Sequence, residues 1–233
     1  MSRFRLAVLS LIALVGLSTA CIQAETAIVV NDDGSGTVSL TQALDTVAVK
    51  DLLKEFAEGF GEGTSTSSTP SFDPKDVDTS KLPKGTKVES YKNGNFEGVK
   101  LTAPFAKPED AFDVLNKLSG ALSDQTSSLA GLAGGPSGPS SSPGQFESLT
   151  IAKQGDGWKF EAKLAASGAP GGLDAETKEL VDSLLKDAEV TLKVKLPGKV
   201  ADTNADGTSN NEMTWKLPLI VETPKTLTGR TTR

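Results

Sequence analysis

The sequence comprises 233 residues, with 24 lysines and arginines, 30 aspartates and glutamates, one cysteine and no histidine. Without histidine, the chain by itself has no Ser-His-Asp or Cys-His catalytic centre and no histidine-ligated metal site, and one cysteine forms no internal disulfide. An acidic balance without a basic tract argues against a nucleic-acid partner. We therefore expect a non-enzymatic protein without a cofactor, and its length suits one domain or two small ones. We also expect the protein to be a monomer.

Residues 1–20 have the pattern of a secretory signal peptide. Two arginines precede an apolar run at residues 6–16 that is too short to span a membrane comfortably. The run ends in Leu17-Ser18-Thr19-Ala20-Cys21, which resembles a bacterial lipoprotein signal, although Ser18 stands where that pattern prefers leucine. An ordinary cleavage site is the alternative, but a lone thiol at the start of an exported protein is unusual. We predict that Cys21 is acylated and anchors the exported protein to the outer side of the cell membrane.

Alternation of apolar and polar residues predicts β-strands, each with one buried face and one solvent-exposed face. The alternating segments lie at residues 37–44, 158–164, 190–196 and 213–217. A further strand is expected from Thr26 to Val30. Only four residues separate it from Cys21, which would keep the domain within about 18 Å of its anchor. Such one-faced strands favour antiparallel pairing.

Three turn sequences agree with antiparallel hairpins, because glycine and asparagine accept the positive φ that tight hairpin turns require. These sequences are Asn31–Gly36, Asn93-Gly94 and Asp156-Gly157. Each separates two segments that are expected to be extended. We therefore expect a curved sheet that is built from hairpins.

Apolar stripes at helical spacing predict three helices, which we interpret as packing against the core rather than against lipid. The stripes lie near residues 49–60, 111–132 and 173–184. Stretches rich in glycine, serine, threonine and proline predict flexible insertions near residues 61–71 and 131–144. The resulting prediction is an α+β fold: an antiparallel, curved sheet with about three helices packed on one face, in a single domain over residues 21–230.

One segment resembles the opening of a calcium-binding loop. Asp202, Asn204 and Asp206 alternate along it and a glycine follows, as in loops whose side-chain oxygens surround a hard cation. The twelfth position, however, is Met213 where such loops carry glutamate. A polar hairpin turn explains the same residues, so the segment is a weak calcium candidate and we predict no metal site.

A second feature is a bias of lysines toward the polar side of the predicted strands. These residues are Lys159, Lys163, Lys193, Lys195 and Lys216. In an acidic chain they would concentrate positive potential on one side of the sheet, where anionic headgroups or a partner could dock. A solvated face whose lysines discourage aggregation is the alternative.

Three pieces near the two ends of the predicted mature chain occur in a characteristic order: Cys21 followed by a strand, Asn31–Gly36, and Leu196–Val200 together with Asn204 and Trp215. In these pieces the chain resembles the LppM-like lipoprotein family of mycobacteria and related bacteria. The resemblance implies an α+β envelope domain in which a sheet encloses helices, with a role in binding lipids or lipoglycans and no catalytic residues. Family members often carry a C-terminal membrane helix; this C-terminal sequence has no apolar run, so anchorage is expected to depend on Cys21.

These observations together predict a membrane-anchored envelope lipoprotein that binds a lipid or glycolipid between sheet and helices. Trp158, Phe160 and Trp215 are the predicted ligand-contacting residues. The alternative is an envelope scaffold that docks a partner through its lysine-bearing sheet face and has no ligand cavity. A hydrolase that uses aspartates is a third and weaker alternative, because no acid/base pair is identified.

Overall fold

The structure is a computed structural model that describes residues 22–51, 72–132, 146–166, 189–218, 221 and 223–233. The predicted signal peptide, Cys21, the predicted helix at 173–184 and the insertion at 61–71 lie outside these residues. Most of the predicted helix at 49–60 and most of the insertion at 131–144 also lie outside them. The described residues form eleven strands, one long helix, a helical segment at residues 46–51 and three short 3₁₀ turns. The strands are β1 (Ile22–Val30), β2 (Gly36–Asp45), β3 (Lys87–Asn93), β4 (Phe96–Phe105), β5 (Phe146–Gln154), β6 (Gly157–Leu164), β7 (Glu189–Lys195), β8 (Lys199–Thr203), β9 (Gly207–Ser209), β10 (Glu212–Pro218) and β11 (Lys225–Thr232).

Seven strands form the larger sheet, called sheet A, in the order β3-β4-β2-β1-β7-β10-β9. The β1–β2 hairpin follows the predicted alternation, since Ile28 lies opposite Val38 and Thr26 opposite Leu40. On its other side β1 pairs with β7, and these two strands run parallel, with Thr26 opposite Leu192. The other neighbouring pairs of this sheet are antiparallel.

Four strands form the smaller sheet, called sheet B, in the order β5-β6-β11-β8. Its pairs are all antiparallel, and Leu227 on β11 lies opposite Ala162 on β6. The chain crosses from sheet A to sheet B through the turn between β7 and β8. Thr231 fastens this crossing, because its Oγ1 donates to the carbonyl of Pro197 at 2.6 Å and accepts the backbone N–H of Trp158 at 3.2 Å.

The long helix, α1 (Ala111–Leu132), begins after a 3₁₀ turn at Pro108–Asp110. This turn is a favourable start for a helix. Proline is well tolerated at the first helical positions, and the acidic residues of the turn interact favourably with the positive end of the helix dipole. The helix contacts β2 and β4 of sheet A and β5 of sheet B. Residues 46–51 are also helical, and Oδ1 of Asp45 caps this segment by accepting the N–H groups of Val47 and Ala48 at 2.9 and 3.0 Å.

The two sheets bury their apolar faces against each other in one continuous core. The ring of Phe160 on β6 lies 5.4 Å from that of Trp215 on β10, centroid to centroid, at an interplanar angle of 39°. Gly229 on β11 allows a still closer approach, since a Cβ atom there would lie 2.3 Å from Sδ of Met213 on β10. The core is therefore mainly a contact between two sheets, and α1 fills one side of it.

The predicted fold class is wrong. The described chain is mostly β, with two sheets in place of one and a single long helix in place of three packed on one face. The helix at 111–132 is confirmed. The error arose because β8, β9 and β11 carry few apolar residues and do not show the alternation of the other strands. The prediction that all strands pair antiparallel is also wrong. One edge of β1 pairs with its hairpin partner β2, and the other edge pairs in parallel with β7.

Candidate functional site

The inward face of β2 carries one polar residue in the middle of an apolar row. Leu40 and Leu44 are buried there, and Gln42 lies between them, opposite Val99 of β4 and Ala24 of β1. Successive residues of a strand point to opposite faces, so Gln42 points to the same side as the two leucines. Its Oε1 is buried and has no hydrogen-bond partner in the part of the chain that the structure describes.

A second polar residue lies on the same inward face beside Gln42. Thr26 of β1 pairs with Leu40, so Thr26 and Gln42 are diagonal neighbours across the β1–β2 hairpin. Thr26 is buried. We call Thr26 and Gln42 the polar pair. It interrupts a face whose other positions on β1 and β2 are mainly apolar.

The unpaired oxygen of Gln42 is energetically unfavourable by itself, since a buried acceptor without a donor costs about 1–3 kcal/mol. Buried polar groups in folded proteins normally find a partner, which is another protein group, water or a ligand. The side-chain amide offers an acceptor to a hydroxyl or N–H donor, and the surrounding leucine, valine and alanine side chains offer apolar contact. This combination suits a molecule with both a polar and an apolar part.

The polar pair lies near the end of sheet A at which the described chain begins. Gln42 is level with Ala24, two residues along β1 from Ile22. At about 3.4 Å per residue, this places Gln42 about 7 Å from the start of the strand. The residue before Ile22 is Cys21, the predicted lipidation site, which lies outside the described residues.

The three aromatic residues that the sequence proposed for ligand contact are buried between the two sheets. Phe160 is 0%, Trp215 2% and Trp158 6% exposed. The structure brings Phe160 and Trp215 together, and Trp158 lies against the β1–β2 turn, since a Cβ atom on Gly34 would be 3.3 Å from its ring. Trp215 is three strands away from Gln42 in sheet A, which is about 14 Å. The aromatic residues and the polar pair are therefore separate parts of the core.

The weak calcium candidate forms the corner at which the chain passes from β8 in sheet B to β9 in sheet A. Oδ1 of Asn204 accepts Nε1–H of Trp215 at 3.0 Å and the backbone N–H of Thr228 at 2.9 Å. Oδ2 of Asp206 accepts the backbone N–H of Lys216 at 2.7 Å. Asp202 is exposed. Asn204 and Asp206 thus use side-chain oxygens within the corner, and no cluster of three metal-ligating side chains occurs among the described residues.

The predicted lysine face is divided between the two sheets. Lys193, Lys195 and Lys216 lie on strands of sheet A, and Lys159 and Lys163 on β6 of sheet B. Some of this charge is compensated locally. Nζ of Lys193 lies 2.7 Å from Oε2 of Glu25, and this hydrogen bond raises the pKa of Lys193. Nζ of Lys159 lies 2.9 Å from Oε2 of Glu161 and lowers the pKa of that carboxyl group.

Gln42 was not predicted as a site residue, although the pattern of β2 contains a signal for it. The apolar alternation of β2 runs through Val38 and Leu40, omits position 42 and resumes at Leu44. A polar residue at an inward position of an otherwise regular strand indicates either a buried hydrogen bond or a binding site.

The described helices include none long and apolar enough to cross a lipid bilayer.

Comparison with protein-family models agrees with the resemblance seen in the sequence. The model of the LppM domain family matches residues 22–230. Among solved structures, the NMR structure of the folded domain of Mycobacterium tuberculosis LppM is similar to this chain, with 17% sequence identity and a TM-score of 0.44. That match covers 91% of this chain and 90% of the other. No curated protein matches the sequence.

Proposed function

Because this chain belongs to the LppM domain family, which indicates a lipoprotein-type protein of the cell envelope, we propose that it binds a lipid or glycolipid against the inward face of sheet A. The proposal includes export, anchoring to the membrane through acylated Cys21, and action as a monomer. It includes no catalytic step and no cofactor. The observation that carries it is Oε1 of Gln42, which is buried on an apolar face and has no hydrogen-bond partner among the residues that the structure describes.

The chemistry around Gln42 supports an amphiphilic ligand. A hydroxyl group of a sugar or of glycerol would donate to Oε1 and remove the cost of an unpaired buried acceptor. The neighbouring side chains of Leu40, Leu44 and Val99 are buried and apolar, and they suit the hydrocarbon part of the same molecule. A fully apolar ligand would leave the oxygen unpaired. A fully polar one would gain nothing from the leucines.

Native mass spectrometry tests this proposal. The mature chain with Cys21→Ser would be exported behind a signal for ordinary cleavage, purified gently and weighed before and after extraction with organic solvent. We expect a stoichiometric adduct of lipid mass that extraction removes and incubation with an envelope lipid extract restores. An unchanged ligand-free mass after that incubation would contradict the proposal.

The outer face of sheet B supports the alternative, a scaffold that docks an anionic partner. Arg230 on β11 lies directly opposite Lys159 on β6. Like charges in this arrangement are unfavourable in the absence of a counter-charge, and an anionic partner would supply one. Glu161 already neutralises part of this charge through its contact with Lys159. A ligand-free mass combined with salt-sensitive binding to an envelope component would favour this alternative.

A further inference from the structure

Two large apolar side chains are exposed at one end of sheet A. Ile22 is 48% and Val47 49% exposed, and they are the exposed large hydrophobic residues among those that the structure describes. Ile22 begins β1 and lies opposite Leu44 near the end of β2. Val47 follows β2 in the helical segment that Asp45 caps. Both side chains therefore lie at the same end of the sheet.

The chain enters the domain at this end without a spacer. The first strand was predicted to begin at Thr26, but β1 begins at Ile22. Cys21 immediately precedes Ile22 in the sequence, so the predicted acylation site is bonded directly to the first residue of β1. An acyl chain on Cys21 would hold the end of sheet A at the depth of the lipid headgroups.

We propose that this end of sheet A rests directly on the lipid bilayer, with Ile22 and Val47 in the boundary between headgroups and acyl chains. The proposal rests on the acylation of Cys21 in the proposed function. Its independent support is the exposure of two apolar side chains at the end where the anchor is attached, since exposed apolar surface is stabilised when it leaves water. The occupant of this surface is lipid.

Charge contributes little to this contact. Nζ of Lys92 lies 2.6 Å from Oε1 of Glu97, and Lys92 together with the more distant Lys50 lowers the pKa of Glu97. Asp45 and Asp51 add negative charge at the same end. Lys50 and Lys92 against Asp45, Asp51 and Glu97 give these described residues no positive excess, so we expect the contact to depend on the anchor and the apolar side chains. We expect little dependence on salt concentration.

The contact has a consequence for ligand exchange. Gln42 is two residues along the strand from the end that holds Ile22, which places its side chain about 7 Å from the bilayer surface. An amphiphile would therefore move between the bilayer and the inward face of sheet A over a short path. A domain on a long, flexible tether would lack this arrangement.

Lipid-attached quenchers test the contact in the anchored protein. The full chain would be expressed with export and reconstituted in phosphatidylethanolamine and phosphatidylglycerol vesicles that carry a nitroxide on an acyl chain. A thiol-reactive fluorophore would be attached through Lys50→Cys, one helical turn from Val47, or through Ser209→Cys in β9. Ser209 is exposed and level with Val29 across the sheet, about 24 Å from Ile22 along the strand direction. The unsubstituted chain serves as a labelling control, because Cys21 is its single cysteine.

We expect the label at position 50 to be quenched at least about threefold more strongly than the label at position 209. Adding Ile22→Ser and Val47→Ser should reduce this ratio, with near-UV circular dichroism confirming that both tryptophans remain packed. Equal quenching at the two positions, while the unsubstituted chain takes up no label, would overturn the contact and leave anchoring intact. Labelling of the unsubstituted chain would show a free Cys21 thiol and overturn both. Ligand binding is measured separately by native mass spectrometry, so its failure is distinguishable from either result.

Discussion

The indole Nε1 of Trp215 donates a hydrogen bond of 3.0 Å to Oδ1 of Asn204, and this bond connects the two sheets. Trp215 belongs to β10 of sheet A, while Asn204 follows β8 of sheet B. Asn204 also donates from Nδ2 to the carbonyl of Thr226 and accepts the N–H of Thr228, at 2.8 and 2.9 Å. One amide side chain thus holds β11 and a buried tryptophan in register with the corner between the sheets.

We predict that Asn204→Ala lowers the free energy of unfolding by about 2 kcal/mol. The substitution leaves the N–H of Trp215 unpaired in a side chain that is 2% exposed, and a buried donor without a partner is costly. Urea denaturation followed by tryptophan fluorescence measures the change. Asp202→Ala, two residues earlier and exposed, is the matched control and should change stability by no more than about 0.5 kcal/mol. Equal effects of the two substitutions would contradict the role of Asn204.

Gly157→Ala should destabilise the protein by about 3 kcal/mol, because the backbone of the neighbouring strand β11 lies too close to Gly157 to leave room for a side chain. A Cβ atom at this position would lie 1.8 Å from the carbonyl oxygen of Thr231 in β11. Gly207→Ala is the control, since no atom lies within 4 Å of a Cβ there. Thermal unfolding of the two variants should separate them clearly. If the Gly157→Ala protein is as stable as the Gly207→Ala protein, β6 and β11 are farther apart at this position than the structure places them.

Asp33 should contribute to the acid sensitivity of the protein. Oδ1 of Asp33 accepts the Oγ–H and the N–H of Ser35 at 2.7 and 2.9 Å, and these hydrogen bonds lower the pKa of Asp33. A carboxyl group with a lowered folded-state pKa stabilises the fold above its ordinary pKa of about 3.9, and this contribution is lost as the pH falls through the lowered value. Between pH 7 and pH 2.5, the wild type should therefore lose more unfolding free energy than Asp33→Asn.

Asp32→Asn is the control for this pH experiment. It removes one negative charge from the same turn and leaves the hydrogen bonds between Asp33 and Ser35 in place. Urea denaturation at several pH values measures the difference between the variants. A loss of stability as steep in Asp33→Asn as in Asp32→Asn would contradict the prediction.

Gln42→Leu should separate stability from ligand binding. Replacing an unpaired buried acceptor with an apolar side chain of similar size should raise the unfolding free energy of the ligand-free protein by about 1 kcal/mol. The same change should weaken binding of a lipid with a hydroxyl-bearing headgroup, because the acceptor for that hydroxyl is gone. Denaturant titration and native mass spectrometry measure the two effects.

Gln23→Leu provides the matched control for Gln42→Leu. Gln23 lies on the neighbouring strand β1, opposite Ala43, and points to the other face of sheet A. This substitution should leave lipid binding unchanged. If both variants bind lipid equally well, Gln42 is not a ligand-contacting residue.

Several strands could be predicted because their pattern is local. The alternation at 158–164, 190–196 and 213–217 corresponds to β6, β7 and β10. The three hairpin positions are confirmed, although the central residues of two turns are displaced by one: Gly94 and Asn95, and Gly155 and Asp156. A fourth hairpin, between β9 and β10, was missed. There Asn210 and Asn211 both adopt positive φ, at 50° and 64°, as a tight two-residue turn requires.

Other strands could not be predicted because neighbouring elements determine them. Strand β11 contains one large apolar residue, Leu227, and its other inward positions are Gly229 and Thr231. These small residues suit the strand because Met213 of sheet A and the crossing at Pro197 lie against it. The local pattern of residues 225–232 does not depend on those neighbours, so it does not predict the strand.

The sequence by itself determined which face of β1, β2, β6, β7 and β10 is buried, because side-chain direction within a strand depends only on residue number. It also determined the long helix, whose apolar stripe repeats at the helical period. Only the tertiary structure decided that β1 pairs in parallel with β7, that a second sheet covers the first, and that Oε1 of Gln42 is buried without a partner among the described residues. These features depend on contacts between residues far apart in the chain. Local periodicity specifies which face of a strand or helix is buried, but it does not specify which other segment packs against that face or pairs with that strand.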